Sequence, residues 1–116
     1  MMTTTSYVHG VSAVPLIGTT IGCAFDATVN TYPDAIALIV RHQGIRYTWS
    51  ELRAEVDAVA AGLIARGLRP GDRVGIWAPN CAEWTVIQFA AAKAGLILVN
   101  INPAYRLTEV EYALNK

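Results

Sequence analysis

Apolar residues along the chain change spacing several times, and each change marks an element. Ile21, Phe25 and Val29 recur every fourth position, which predicts a short helix with one apolar stripe, ending near Thr31 because Pro33 disfavours helical geometry at Tyr32. Ala35 to Arg41 (AIALIVR) is rich in β-formers, His42-Gln43-Gly44 is a turn, and Ile45 to Trp49 resumes the apolar run. This predicts an antiparallel β-hairpin with Gly44 at positive φ. Thr48-x-x-Glu51 is a capping box, so a helix starts there, and Leu52, Val56, Val59 and Leu63 give it a buried stripe. Gly67 closes it, and Arg69-Pro70-Gly71-Asp72 turns the chain out.

Arg73 to Ala78 (RVGIWA) then reads as a strand, Pro79-Asn80 as a loop, Cys81 to Ala94 as a helix capped by Asn80-x-x-Glu83, and Leu96 to Ile101 (LILVNI) as a second strand. Strand, helix and strand in this order form a right-handed βαβ unit with parallel strands. Thr108-x-x-Glu111 supplies a third capping box, and its helix meets Lys116 after barely two turns without a C-cap. The predicted class is α/β, with residues 1–19 a flexible leader and 20–116 an incomplete portion of a larger domain.

Composition sharpens this picture. Only 16% of the 116 residues are charged and 53% are hydrophobic, with zero formal net charge. A monomer so short of charge predicts apolar surface that faces more protein. Arginines and lysines are scattered singly, Lys93 and Lys116 among them, so the basic footprint needed for nucleic acid is missing. Phe89 to Ile101, the most apolar window, is shorter than the ~20 residues that span a bilayer and holds Lys93 and Asn100. Cys23 and Cys81 lack zinc or disulfide spacing, which suits a reducing, cytoplasmic setting. The leader has no arginine or lysine to make a secretory or mitochondrial signal.

Candidate chemistry gathers where the parallel strands end, since open parallel sheets bind ligands outside their carboxyl ends. Asn80, Asn100, Asn102, Tyr105 and Arg106 fall there. The plain alternative is that the asparagines cap and turn while Arg106 is a solvated charge. Cys81 opens a helix, where a thiol pKa falls, yet it has no His or Asp nearby in sequence. Gly18-Thr19-Thr20-Ile21-Gly22 lacks the lysine and the preceding strand of a phosphate loop. His9 and His42 are not framed by a nucleophile and a carboxylate, and Glu51, Glu83 and Glu111 are accounted for as caps. The residues assign no catalytic group and no metal ligand.

An ordered set of motifs adds to this. Tyr47-Thr48-Trp49-Ser50-Glu51-Leu52, Gly71-Asp72-Arg73-Val74 with Pro79-Asn80, and Ala92-Lys93-Ala94-Gly95 leading into Val99-Asn100-Ile101-Asn102-Pro103 resemble the adenylate-forming, AMP-dependent acyl-CoA synthetase family. Asn102-Pro103-Ala104-Tyr105-Arg106 with Glu109 is most similar to its fatty-acyl and medium-chain branch. The resemblance covers about residues 20–116 and implies the N-terminal portion of the large domain of the adenylate-forming fold, packed on the rest of that domain.

It also implies a two-step ligase. A carboxylic (fatty) acid attacks the α-phosphate of Mg-ATP to give an acyl-adenylate and pyrophosphate, and the thiol of coenzyme A then displaces AMP. The family's triphosphate loop, adenine contacts and catalytic lysine match no position here, so ATP, Mg and coenzyme A are implied for the full-length enzyme and not for this segment alone. Asn102, Tyr105 and Arg106 are carried as rim residues near coenzyme A. The alternative is a free-standing α/β binding or interaction module without catalysis.

Overall fold

A computed structural model describes residues 10–116. Helix α1 (Ile21–Thr31) is followed by strand β1 (Ile36–Val40), a 3-10 turn (Arg41–Gln43) and strand β2 (Ile45–Thr48). Helix α2 (Trp49–Ala65), strand β3 (Arg73–Trp77), helix α3 (Ala82–Lys93), strand β4 (Ile97–Ile101) and helix α4 (Leu107–Asn115) complete the order. Residues 1–9, the first part of the expected leader together with His9, lie outside the described residues.

The hairpin and the βαβ unit form as their local signals predict. β1 and β2 pair antiparallel, with Leu38 opposite Tyr47 and Val40 opposite Ile45. Gly44 takes the left-handed conformation at φ 66°, which closes the turn without a Cβ clash. β3 and β4 pair parallel from Arg73–Ile97 to Trp77–Ile101 as a separate two-stranded sheet. Trp49, read as the end of a strand, is instead the first residue of α2. The α2 box is complete: the Thr48 hydroxyl accepts from the Glu51 N–H at 3.2 Å, and Glu51 Oε2 accepts from the Thr48 N–H at 2.7 Å. Those backbone and hydroxyl hydrogen bonds from Thr48 hold the Glu51 carboxyl below its ordinary value.

Two predicted caps differ in the structure. The residue at the cap position of α3 is Cys81, not Asn80, and its side chain makes no capping bond. α4 starts at Leu107, because Glu109 Oε2 accepts from the Arg106 N–H at 3.1 Å; the box expected at Thr108 and Glu111 does not form there.

The core lies where α1, α2 and α3 meet. Phe25, Val29, Leu52, Val56, Ala60, Val86, Ala90 and Ala91 are buried, with Leu38 and Tyr47 packing on them from the hairpin. Phe25 sits edge-on to Trp49 with ring centres 5.9 Å apart and stacks at a tilt on Phe89 at 4.5 Å. Ile21, expected in the α1 stripe, is 60% exposed and lies at the helix's first residue. Gly22 instead makes the close approach: a Cβ there would sit 3.2 Å from Lys93 Cγ.

Lys93 itself ties the three helices together. Its ammonium contacts Asp26 of α1 at 2.8 Å and Asp57 of α2 at 2.6 Å, and lies 5.8 Å from the centre of the Phe25 ring. Partial burial pulls its pKa down, but the hydrogen bonds it donates to Asp26 and Asp57 outweigh that and leave it above the ordinary lysine value.

Candidate functional site

Because β3 and β4 are parallel, their carboxyl ends open side by side, and the chain crosses that edge twice. The first crossing is the loop 78–81 between β3 and α3. Trp84, one turn into α3, donates its indole N–H back to the Ala78 carbonyl at 2.9 Å. Gln43, from the hairpin turn 39 residues earlier, accepts from the Ala82 N–H at 2.7 Å and donates to Glu83 Oε2 at 2.9 Å. The Gln43 amide, aided by Glu83's own N–H and the Cys81 thiol, keeps the Glu83 carboxyl below its ordinary value. The α3 cap is therefore supplied from outside the helix.

The second crossing is 102–106, between β4 and α4. Asn102 shapes it. Its side-chain oxygen accepts from the Ala104 N–H at 2.9 Å, and its carbonyl accepts from the Tyr105 N–H at 3.0 Å. The Trp77 indole at the end of β3 also donates to that carbonyl at 3.1 Å, which pins the two crossings to each other. Tyr105 and Arg106 then line an open hollow of about 540 Å³ with Thr108, Glu109 and Tyr112.

Of the five residues expected at this edge, the structure groups Asn102, Tyr105 and Arg106. Asn100 lines a different hollow, with Ile21, Gln88 and Leu98, and Asn80 is exposed in the first crossing. Among the described residues, no carboxylate pairs with the Arg106 guanidinium. The hollow brings together a guanidinium, two phenols, a hydroxyl and the Glu109 carboxylate. Gln43 and Lys93 are the functional surprises. One acts 39 residues away in sequence and the other is a single lysine, so local spacing carries no signal for either.

Comparison with known proteins settles the family. A profile described as "AMP-binding enzyme" matches residues 25–116, most of the chain. This chain belongs to the AMP-binding enzyme family. Among curated relatives, the protein named medium-chain acyl-CoA ligase ACSF2, mitochondrial, of Danio rerio is 54% identical over 113 residues, covering 97% of this chain and 19% of that protein. Its Mus musculus counterpart is 48% identical, with 96% and 18% covered. The chain thus spans about a fifth of the length of the relatives it matches.

Solved structures agree. The N-terminal domain of FACL13 from Mycobacterium tuberculosis, bound to an inhibitor, superposes with a TM-score of 0.79 at 29% identity, covering 82% of this chain and 24% of that one. The N-terminal subdomain of Klebsiella oxytoca NpsA gives 0.76 at 27% identity, with 83% and 25% covered. The expected fold class therefore stands: this AMP-binding family chain has the architecture of the N-terminal subdomain of adenylate-forming enzymes and is homologous to the N-terminal part of acyl-CoA synthetases. Among the described residues, no helix is long and apolar enough to cross a membrane.

Proposed function

We propose that this chain forms the opening portion of an acyl-CoA synthetase that activates a medium-chain or other fatty acid with ATP and transfers it to coenzyme A, and that it is inactive alone. The observation that carries this reading is the 54% identity to a ligase named for medium-chain acyl-CoA formation. ATP and Mg²⁺ supply the adenylation step, in which the acid's carboxylate displaces pyrophosphate, and they enter with the rest of the enzyme. This chain's own part is to hold the carboxyl-edge crossings in place. Arg106 is exposed and makes no ion pair among the described residues, so it fits a phosphate of coenzyme A at the rim, and Tyr105 fits its nucleotide base. Asn102 holds the turn that carries Tyr105, and Glu109 accepts from the Arg106 N–H.

The exposed apolar side chains support a covered surface. Trp77, Ile97, Leu107, Tyr112 and Leu114 are each about half exposed or more, which fits a surface covered by further protein. The boundary at residue 20 and the cytoplasmic setting, which rests on two reduced cysteines, belong to the same proposal; the names of the relatives above place those proteins in mitochondria.

A chimera tests it. This chain replaces the matching segment of the Danio rerio ligase, and AMP release and thioester formation are measured with a medium-chain acid, ATP and coenzyme A. Activity in the chimera, and none in the 116-residue chain, is the expected result. A folded but inert chimera would refute the reading.

A further inference from the structure

We propose that Gln43 is a positioning residue: from the tip of the hairpin it latches the start of α3, and so fixes the path of the crossing at the carboxyl end of β3. This does not depend on which reaction the enzyme performs. It rests on three observations.

First, the native cap position of α3 is unable to do the work. Cys81 makes no side-chain capping bond, which leaves the first N–H groups of α3 to find an acceptor elsewhere. Second, Gln43 meets that need with both ends of one amide. Its oxygen takes the Ala82 N–H at 2.7 Å and its nitrogen holds Glu83 Oε2 at 2.9 Å, so a single side chain grips two successive residues of the helix. Ala82 is buried, and the acceptor for its N–H comes from outside the helix. Third, the turn that presents Gln43 is closed by a hydrogen bond of its own. The 3-10 turn closes on Gly44, whose N–H donates to the Arg41 carbonyl at 3.1 Å.

From this latch a continuous path leads to the rim. Trp84 on the first turn of α3 holds the Ala78 carbonyl, Ala78 follows Trp77 in the chain, and Trp77 holds the Asn102 carbonyl that organises Tyr105. The hairpin, remote from the rim in sequence, sets where the rim's first crossing lies.

Amide hydrogen exchange on the full chain, resolved by mass spectrometry over residues 78–88, reads the latch directly. Gln43→Ala is expected to speed exchange at Ala82 by about fivefold, the loss that follows removal of one helix cap. Thr48→Ala, which loosens α2 without touching Gln43, is expected to leave Ala82 unchanged. Gln43→Glu alone would set a second carboxylate against Glu83, so it is paired with Glu83→Gln, which restores both an acceptor for the Ala82 N–H and a donor–acceptor pair between the two side chains; protection in this double variant is expected to recover relative to Gln43→Ala. Unchanged exchange in Gln43→Ala, no recovery in the double variant, or an equal effect from Thr48→Ala would each overturn the proposal.

Discussion

The junction of α1, α2 and α3 and the end of the chain around α4 are built on different principles. At the junction, Val29 and Val56 are fully buried, Phe25 and Leu52 nearly so, and the one lysine present is held by two carboxylates. Around α4, only Val110 of the helix is buried, while Leu107, Tyr112 and Leu114 are exposed and position is set by hydrogen bonds to Asn102 and Glu109. Close packing makes the first region self-sufficient. The second has direction without cover, as suits a surface awaiting further protein.

Mutations can break this contrast. Leu52→Ala opens a cavity in the junction and is expected to cost about 2–5 kcal/mol, whereas Val110→Ala, on the thinly packed helix, should cost well under half as much; denaturant melts of the two variants measure the gap. Equal losses would mean that the two regions share one packed core.

Removing Lys93 comes next. Lys93→Met leaves Asp26 and Asp57 facing each other across the helices, and since both carboxylates are about half exposed the loss is expected to be on the order of 1 kcal/mol. The pH dependence has a definite sign. Because the folded pKa of Lys93 is raised, its stabilisation is complete below the ordinary lysine value and disappears as pH climbs through the folded one. Melting temperature followed into alkaline solution should therefore fall more steeply in the native chain than in Lys93→Met.

Thr48→Ala removes the acceptor for the Glu51 N–H and is expected to cost about 1 kcal/mol in the same melts. Glu51 supplies the acid-side counterpart: its lowered folded pKa gives stabilisation that is present above the ordinary value of 4.5 and lost as pH falls through the folded one. The smallest effect belongs to the α4 surface. Leu107→Ser with Leu114→Ser should change stability by less than ~0.5 kcal/mol while measurably reducing binding of a hydrophobic dye. A large loss of stability would show that these side chains are already packed.

What was legible in the sequence follows how local each signal is. The α2 capping box, the Gly44 turn and the parallel βαβ unit are written within a few residues or in a fixed spacing, and they appear as expected. The α3 cap failed because the asparagine was nearby in sequence while the better acceptor, Gln43, was nearby only in space. At α4, the expected register was Thr108-x-x-Glu111, and the Glu109 bond to the Arg106 N–H set an earlier start with a non-capping residue at the cap position. Lys93, counted among scattered charges, acquires its role only when three helices converge. Place after a parallel strand offered five candidates, and the family resemblance narrowed them to Asn102, Tyr105 and Arg106 as a rim, whereas the Trp77 bond that joins the two crossings depends on side-chain reach across the sheet.

The base of the hairpin carries one more consequence. Pro33 and Ala35 accept from the Ser50 and Trp49 N–H groups at 3.0 Å each, so the segment between them is stitched shut at its foot as well as gripped at its tip. Hairpin tips are ordinarily where engineers graft tags and epitopes, because little else depends on them. Here that habit fails: an insert beside Gln43 would be felt at the start of α3 and at the crossing that precedes it.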